Sequence, residues 1–298
     1  MDPDLYEHVC CGLCGADNPE LLFGTHPIPG GKTGGVVRCR SCGLVYRNVR
    51  RKAAALRLYF EREGAAGLSA DWIASRRKAC AEYLALLEPF RRNNRILDVG
   101  AGHGFFLSLC AERGWDCHGV ETAATQAAFA RRHFGLTLTC GAFEEFECPE
   151  EHFDAVTFLN VLEFLPGPRQ ALRKTHRLLR PGGVVLVRFS NAAFHLAAYK
   201  FFTFLGRMHP RLNWAEQTVI HSSAFDRNSI TRLFREIGFT DIKVALTALS
   251  WTTTSDRRIP GWQKIFSKLL GAFAYFFYLA SFGNFLISPS LVAMARKN

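Results

Sequence analysis

Two groups of residues in this chain are spaced to do chemistry. The first lies in the run Ile96–Leu107, ILDVGAGHGFFL, where an apolar stretch ends in Asp98 and glycines follow at Gly100, Gly102 and Gly104. Glycine accepts positive φ and has no Cβ, so this turn lets a ligand lie against bare backbone. The spacing is G-x-G-x-G, not the G-x-G-x-x-G that seats a pyrophosphate on a helix N-terminus. An acid just before the first glycine suits a ligand with ammonium or hydroxyl donors, and S-adenosylmethionine is such a ligand. The second group is Cys11-x-x-Cys14 and Cys39-x-x-Cys42, separated by 24 residues. Two such knuckles can set four thiolates tetrahedrally around Zn²⁺ with no open position, which predicts a structural metal and not a catalytic one. Cys10 competes with Cys11 for the first position. Cys11 is preferred because it gives two matched pairs, each followed by glycine (Gly15, Gly43).

The elements that must position these groups follow from periodicity and breakers. A buried strand precedes the glycine turn and a helix-like segment, Phe105–Arg113, follows it. Asp116–Val120 then ends in Glu121, 23 residues beyond Asp98, about where a strand-end acid grips ribose hydroxyls in two-strand nucleotide units. Next come Gly141-Ala142-Phe143, the strand-like FDAVTFLN (Phe153–Asn160), and LLRPGGVVLVRF (Leu178–Phe189) with a Pro-Gly-Gly turn between a helix and a buried strand. Strands alternating with helices imply a mostly parallel sheet with right-handed crossovers. The insertion 191–225 breaks the rhythm. A helix at Arg227–Ile237, a stop at Gly238, a strand at Asp241–Trp251 and a final strand at Ser290–Arg296 complete the chain.

Over roughly residues 95–190, these four motifs in this order resemble the class I S-adenosylmethionine-dependent methyltransferases, with their Rossmann-like α/β sheet. The resemblance implies that Asp98 and the glycines Gly100, Gly102 and Gly104 surround the amino-acid end of the cofactor. It implies that Glu121 accepts both ribose hydroxyls, that Phe143 lies by the adenine, and that Asn160 faces the methyl-transfer site. Ala142 stands where relatives often have an acid. NVLEFLPGP matches the family pattern except that Phe164 stands where relatives usually carry His. That leaves Glu163 and His221 as candidate bases, the latter in VIHSSAFDRNSI, which resembles the family's segment before the penultimate helix. CRSCGLVYRN is similar to the zinc-ribbon lead-in of a bacterial methyltransferase group that joins a ribbon, a helical linker and a methyltransferase core.

The expected organisation is therefore a zinc ribbon over residues 1–48, a helical linker and cap over 49–94, and a methyltransferase domain over 95–298. The ribbon is expected to lie outside the sheet. The chain has 298 residues, 48% of them apolar, which is enough for one large core and a small appendage. MDPDLYEHVC lacks an apolar h-region, so no export signal is expected. Ten cysteines without one point to a reducing, cytoplasmic setting and to metal binding. The net charge of +11 suits an anionic membrane surface, an anionic substrate or nucleic acid. Two stretches, Ala192–Leu205 and a segment at 262–287, are strongly aromatic, and the second, with Lys264 and Lys268 at its polar end, suggests a peripheral place at the inner face of a membrane. Core packing and a membrane span are the alternatives for that segment. The leading expectation is methylation of a small or lipid-linked acceptor such as a sugar, polyketide or isoprenoid-like compound. Two alternatives remain. One is an RNA methyltransferase gripping with the ribbon and the Arg-rich linker. The other is a non-catalytic cofactor-binding protein, consistent with Phe164.

Overall fold

A computed structural model describes residues 5–27, 33–64, 68, 70–208, 220–246, 280–281 and 286–298. Short strands come first: β1 (Tyr6–His8), β2 (Pro19–Pro27), β3 (Thr33–Cys39), β4 (Val45–Arg47) and β5 (Val49–Arg51). Two helices follow, α1 (Ala53–Gly64) and α2 (Ala70–Leu87). The alternating part then runs β6 (Arg95–Val99), α3 (Phe105–Glu112), β7 (Asp116–Glu121), α4 (Ala124–Phe134), β8 (Thr139–Cys140), β9 (Phe153–Leu159), α5 (Pro168–Leu178) and β10 (Leu179–Ser190). The last described elements are α6 (Ala192–Met208), β11 (Ser223–Ala224), α7 (Arg227–Ile237), β12 (Thr240–Leu246) and β13 (Ser290–Arg296).

Seven of these strands form one sheet in the order β12-β13-β10-β9-β6-β7-β8. All adjacent pairs from β10 to β8 are parallel, while β13 runs antiparallel to both of its neighbours. This is the mixed, Rossmann-like α/β sheet expected from the sequence. The central strands are covered on both faces, which is why they read as near-continuous apolar runs. Ile96, Ala155, Val184 and Leu186 pack with Tyr83, Leu84 and Leu87 of α2 and with Phe106, Leu107 and Cys110 of α3. Leu97, Val99, Val156, Phe158, Val185 and Val187 face the other way, toward Leu172 of α5 and Leu233 and Phe234 of α7. The Pro-Gly-Gly turn is not a gap before β10. It forms an irregularity inside it: Leu179 pairs with Phe153, and pairing resumes at Val184 with Ala155.

The N-terminal strands do not form a separate appendage. β2, β3 and β4 make a second sheet whose outer member is β11, from the far side of the insertion. Cys11, Leu13, Val37, Cys39, Leu44 and Tyr46 belong to the same buried cluster as Val156, Phe158 and Leu172. The knuckles are also tied down by hydrogen bonds, Arg169 Nε donating to Leu13 O at 2.7 Å and Arg232 to Cys42 O. The ribbon thus lies outside the seven-stranded sheet, as a sheet of its own, but packs against its face. A segment this short is too small for a private core, and it borrows the face of the main sheet. The aromatic segment at 262–287, with Lys264 and Lys268, lies outside the described residues except for its ends. Among the described residues no helix is long and apolar enough to cross a membrane.

Candidate active site and cysteine centre

Open α/β sheets bind ligands beyond the carboxyl ends of their strands, and the sequence-derived residues gather there. Gly100, Gly102 and Gly104 have φ of 68°, 56° and 77°, the left-handed region that favours glycine. A Cβ on Gly100 would stand 2.5 Å from Val161 Cγ2, so this position is closed to larger residues by packing as well as by φ. Glu121 ends β7 and folds its carboxylate back on the turn. Oε2 accepts from Gly102 N at 2.8 Å and Oε1 from Ala123 N at 2.8 Å. The same side chain therefore fixes the glycine turn and the residue that leads into α4. Asp98 is buried within β6 and accepts from Thr157 Oγ1 at 2.6 Å. Burial pushes its pKa up to about 7. The Thr157 hydrogen bond opposes this and the Glu121 charge adds to it.

Asn160, directly after β9, adopts φ of 62° and its Oδ1 accepts from the buried guanidinium of Arg188. Phe143 is placed differently from its neighbours. Its ring is buried against Phe158, with centroids 5.7 Å apart, and lies under Lys174 Nζ at 5.0 Å. The ring serves the core, and any part this segment plays toward a ligand falls to its backbone.

The two candidate bases, 58 residues apart in the chain, come together. Glu163 Oε1 accepts from Ser190 Oγ at 3.0 Å and lies 3.8 Å from His221 Nε2. Glu163 is 2% exposed, and its Oε2 has no hydrogen-bond partner among the described residues. Burial pushes Glu163 up to about 7, against the Ser190 hydrogen bonds. Burial, then His195 and Arg47, push His221 down to about 4. At neutral pH the imidazole is therefore neutral and the carboxyl is near its midpoint, so this is not a salt bridge. Phe164 packs on the His221 ring with centroids 4.3 Å apart. It also meets Phe60 of α1 at 5.5 Å. α1 is in turn docked on α4. The Glu61 carboxylate accepts from Ala124 N at 2.6 Å and Thr125 N at 3.0 Å, and Gln126 Nε2 donates to Phe60 O at 3.2 Å. The linker helix thus spans the glycine turn on one side and the Glu163–His221 pair on the other.

The cysteine set is Cys11, Cys14, Cys39 and Cys42, whose sulfurs all lie within 4.8 Å of one another. Cys11 and Cys42 are 3.4 Å apart and Cys14 and Cys39 3.5 Å. A tetrahedral Zn²⁺ with Zn–S of about 2.3 Å requires S···S edges of about 3.8 Å, so the four thiols suit that ion. Cys10 is exposed and outside the set.

A sequence profile of the methyltransferase domain matches residues 72–244, more than half of the chain. The chain belongs to the methyltransferase domain family. This methyltransferase-family chain is 33% identical over 103 residues to the ubiquinone biosynthesis O-methyltransferase of Pseudomonas aeruginosa strain UCBPP-PA14, covering 33% of this chain and 44% of that protein. It is 34% identical over 117 residues to the same-named protein of Pseudomonas syringae pv. tomato, covering 36% and 48%. The chain thus spans less than half the length of these curated relatives. In fold it is similar to a SAM-dependent methyltransferase from Archaeoglobus fulgidus, with a TM-score of 0.51, 17% identity and coverage of 80% of this chain and 98% of that one. It is also similar to a chain from the complex of the Haloferax volcanii Trm112 methyltransferase activator with a methyltransferase, with a TM-score of 0.53, 15% identity and coverage of 80% and 94%. The fold is that of the class I SAM-dependent methyltransferases.

Three residues that hold the candidate site residues in place escape a reading by motif. Arg188 is the single charge in the apolar run VVLVRF, and a buried charge in such a run is a signal in itself. Thr157 interrupts FDAVTFLN in the same way. Glu61 gives no signal, because an exposed acid on a helix is ordinary. The arginines of the linker are largely engaged within the molecule. Arg50 pairs with Glu7 and Arg77 with Glu112. Arg91 donates to the carbonyls of Arg113 and Gly114 and lies over Trp115.

Proposed function

We propose that this protein transfers the methyl group of S-adenosylmethionine to a hydroxyl of a small or lipid-linked acceptor. The observation that carries this reading is the Glu163–His221 pair at the carboxyl edge of the sheet. It supplies a buried carboxyl with one oxygen unengaged among the described residues, beside a neutral imidazole. The names of the relatives, O-methyltransferases of ubiquinone biosynthesis, support transfer to oxygen and a lipid-like acceptor.

The residues present fit the cofactor. The positive-φ turn leaves backbone open at Gly102, where an added Cβ would meet only Gln126 Oε1 at 3.1 Å. Glu121, already aligned by two N–H groups, can accept ribose hydroxyls through its remaining lone pairs. Asp98, tied to Thr157 of β9, lies near the end of the strand that leads into the turn, and the backbone of 141–143 is left for the adenine. The cofactor supplies an electrophilic methyl on a sulfonium. The chain aligns the acceptor with it, excludes water through α1 and takes the acceptor's proton. In its ionised form Glu163 accepts that proton through Oε2, while Ser190 donates to Oε1 and His221 lies 3.8 Å from it. Phe60 and Phe164 provide an apolar mouth that suits an aromatic or isoprenoid acceptor.

The cysteine set is proposed to hold one structural Zn²⁺, closed to ligands. Peripheral membrane binding is proposed on α6. That helix contains no acid and exposes Phe201 and Phe204, 57% and 59% accessible, beside exposed Lys200 and Arg207. Calorimetry with S-adenosylhomocysteine tests the cofactor site, with micromolar binding expected. Mass spectrometry of a cell extract supplied with cofactor tests the reaction. A metabolite should gain about 14 Da, the replacement of H by CH₃. Absence of cofactor binding would overturn the reading.

A further inference from the structure

His221 stands one residue before Ser222 and two before β11, and β11 is held by the N-terminal sheet. Ser223 pairs with Tyr46 and Ala224 with Val45. Arg47 at the end of β4 reaches across this edge twice. Its backbone N donates to Ser222 O at 3.0 Å, and its Nε donates to Ile220 O at 2.7 Å. The two bonds bracket His221 on either side. The Arg47 side chain is half-buried, and burial holds its pKa below the ordinary arginine range. Extending a buried guanidinium to a backbone carbonyl is a specific arrangement, since a charge taken from water needs good partners. Tyr46, next to Arg47, is 2% exposed and packs in the cluster that contains Cys11 and Cys39. A continuous path therefore runs from the cysteine set through β3 and β4 to the His221 segment.

We propose that the cysteine-stapled N-terminal sheet is a working part of the acceptor site, with Arg47 as the positioning residue that sets His221 against Glu163. The proposal rests on the Glu163–His221 reading above, but not on the identity of the acceptor. It makes the ribbon a support for the reacting edge in place of an inert appendage. The groups facing the His221 ring are Glu163, with Phe164 beside it, from the segment after β9, His195 from α6, and Arg47 from β4.

The test follows the His221 ring protons by NMR across pH in the full-length protein saturated with S-adenosylhomocysteine, with His221→Gln to assign the signal. In the wild type the imidazole should titrate near 4, burial being the largest cause. In Arg47→Ala the segment keeps the backbone bond to Ser222 O but loses the Nε bond to Ile220 O and the neighbouring charge. The titration should then rise by a pH unit or more toward the ordinary value of about 6.5, while S-adenosylhomocysteine affinity changes less than threefold. Arg47→Lys keeps a donor and a charge, and should restore most of the low value. Replacing Cys39 and Cys42 by Ser should move the same signal in the same direction as Arg47→Ala. A folded Arg47→Ala protein with an unmoved His221 titration would overturn the proposal. So would equal loss of cofactor affinity and of the His221 signature, which marks a general structural role. If Arg47→Ala does not fold, a lysine variant that folds with His221 fully released would also overturn it. Failure of the wild type to bind S-adenosylhomocysteine would instead overturn the methyltransferase reading.

Discussion

Glu121 illustrates how one side chain serves both the cofactor site and the fold. Its carboxylate already accepts from Gly102 N and Ala123 N. Glu121→Ala removes these as well as any ribose contact, at about 1.5–3 kcal/mol for each bond to a charged acceptor. Calorimetry should show cofactor affinity down at least tenfold, with a lowered melting temperature. Glu163 behaves differently. Its folded pKa of about 7 lies above the unfolded carboxylate value of 4.5. Between these values the native state holds more protons than the unfolded chain, so stability falls as pH rises. Glu163→Gln should therefore stabilise the protein more at pH 8 than at pH 5, by up to about 3 kcal/mol, while abolishing turnover. Turnover by the wild type should rise with pH with a midpoint near 7, and thermal melts with rate profiles check both statements. At the opposite, amino end of the sheet, Asp154 is fully buried under Arg180 and accepts from Arg92 N and Asn93 N. Burial alone would raise its pKa, but these partners hold it below the usual range. Asp154→Ala leaves Arg180 buried without its carboxylate and should cost about 3–5 kcal/mol, seen by denaturant titration, with no specific change at the reacting edge.

Among the elements, α7 was legible in full. Asp226 accepts from Ser229 N at 2.7 Å and Gly238 closes the helix at φ of 106°, which are the start and stop that DRNSI and Gly238 announce in sequence. β13 was equally legible as the last apolar run. The pairing of β4 with β11 was not. It joins residues more than 170 positions apart through two residues, and no local periodicity records such a contact. The bulge in β10 was misread as a turn because Pro-Gly-Gly looks the same in both settings. The direction of the Phe143 ring was hidden for a similar reason, since a motif gives a position and not a side-chain orientation. The cysteine spacing was legible, but not its burial against the main sheet. Replacing Cys39 and Cys42 by Ser should release one zinc per chain by metal analysis. Because Cys39 shares a cluster with Val156 and Phe158, it should also lower the melting temperature of the whole molecule.

At the scale of the whole molecule, family membership and fold were carried by a contiguous stretch, while the proposed acceptor mouth draws on α1, the segment after β9, the insertion and the N-terminal sheet. The exposed stripe of α6 adds a surface expectation. Vesicles containing anionic lipid should retain the protein, and retention should fall in high salt and when Phe201 and Phe204 become Ser. Equal recovery with neutral and anionic vesicles would count against it. One consequence of the α1 docking concerns the order of events in turnover. α1 contacts Gln126 beside the glycine turn with one side and Phe164 on the acceptor side with the other. We expect such a bar to settle over the cofactor before the acceptor enters. Steady-state kinetics should accordingly be sequential and ordered, with cofactor entering first and its demethylated product leaving last. That product should inhibit competitively against the cofactor and noncompetitively against the acceptor.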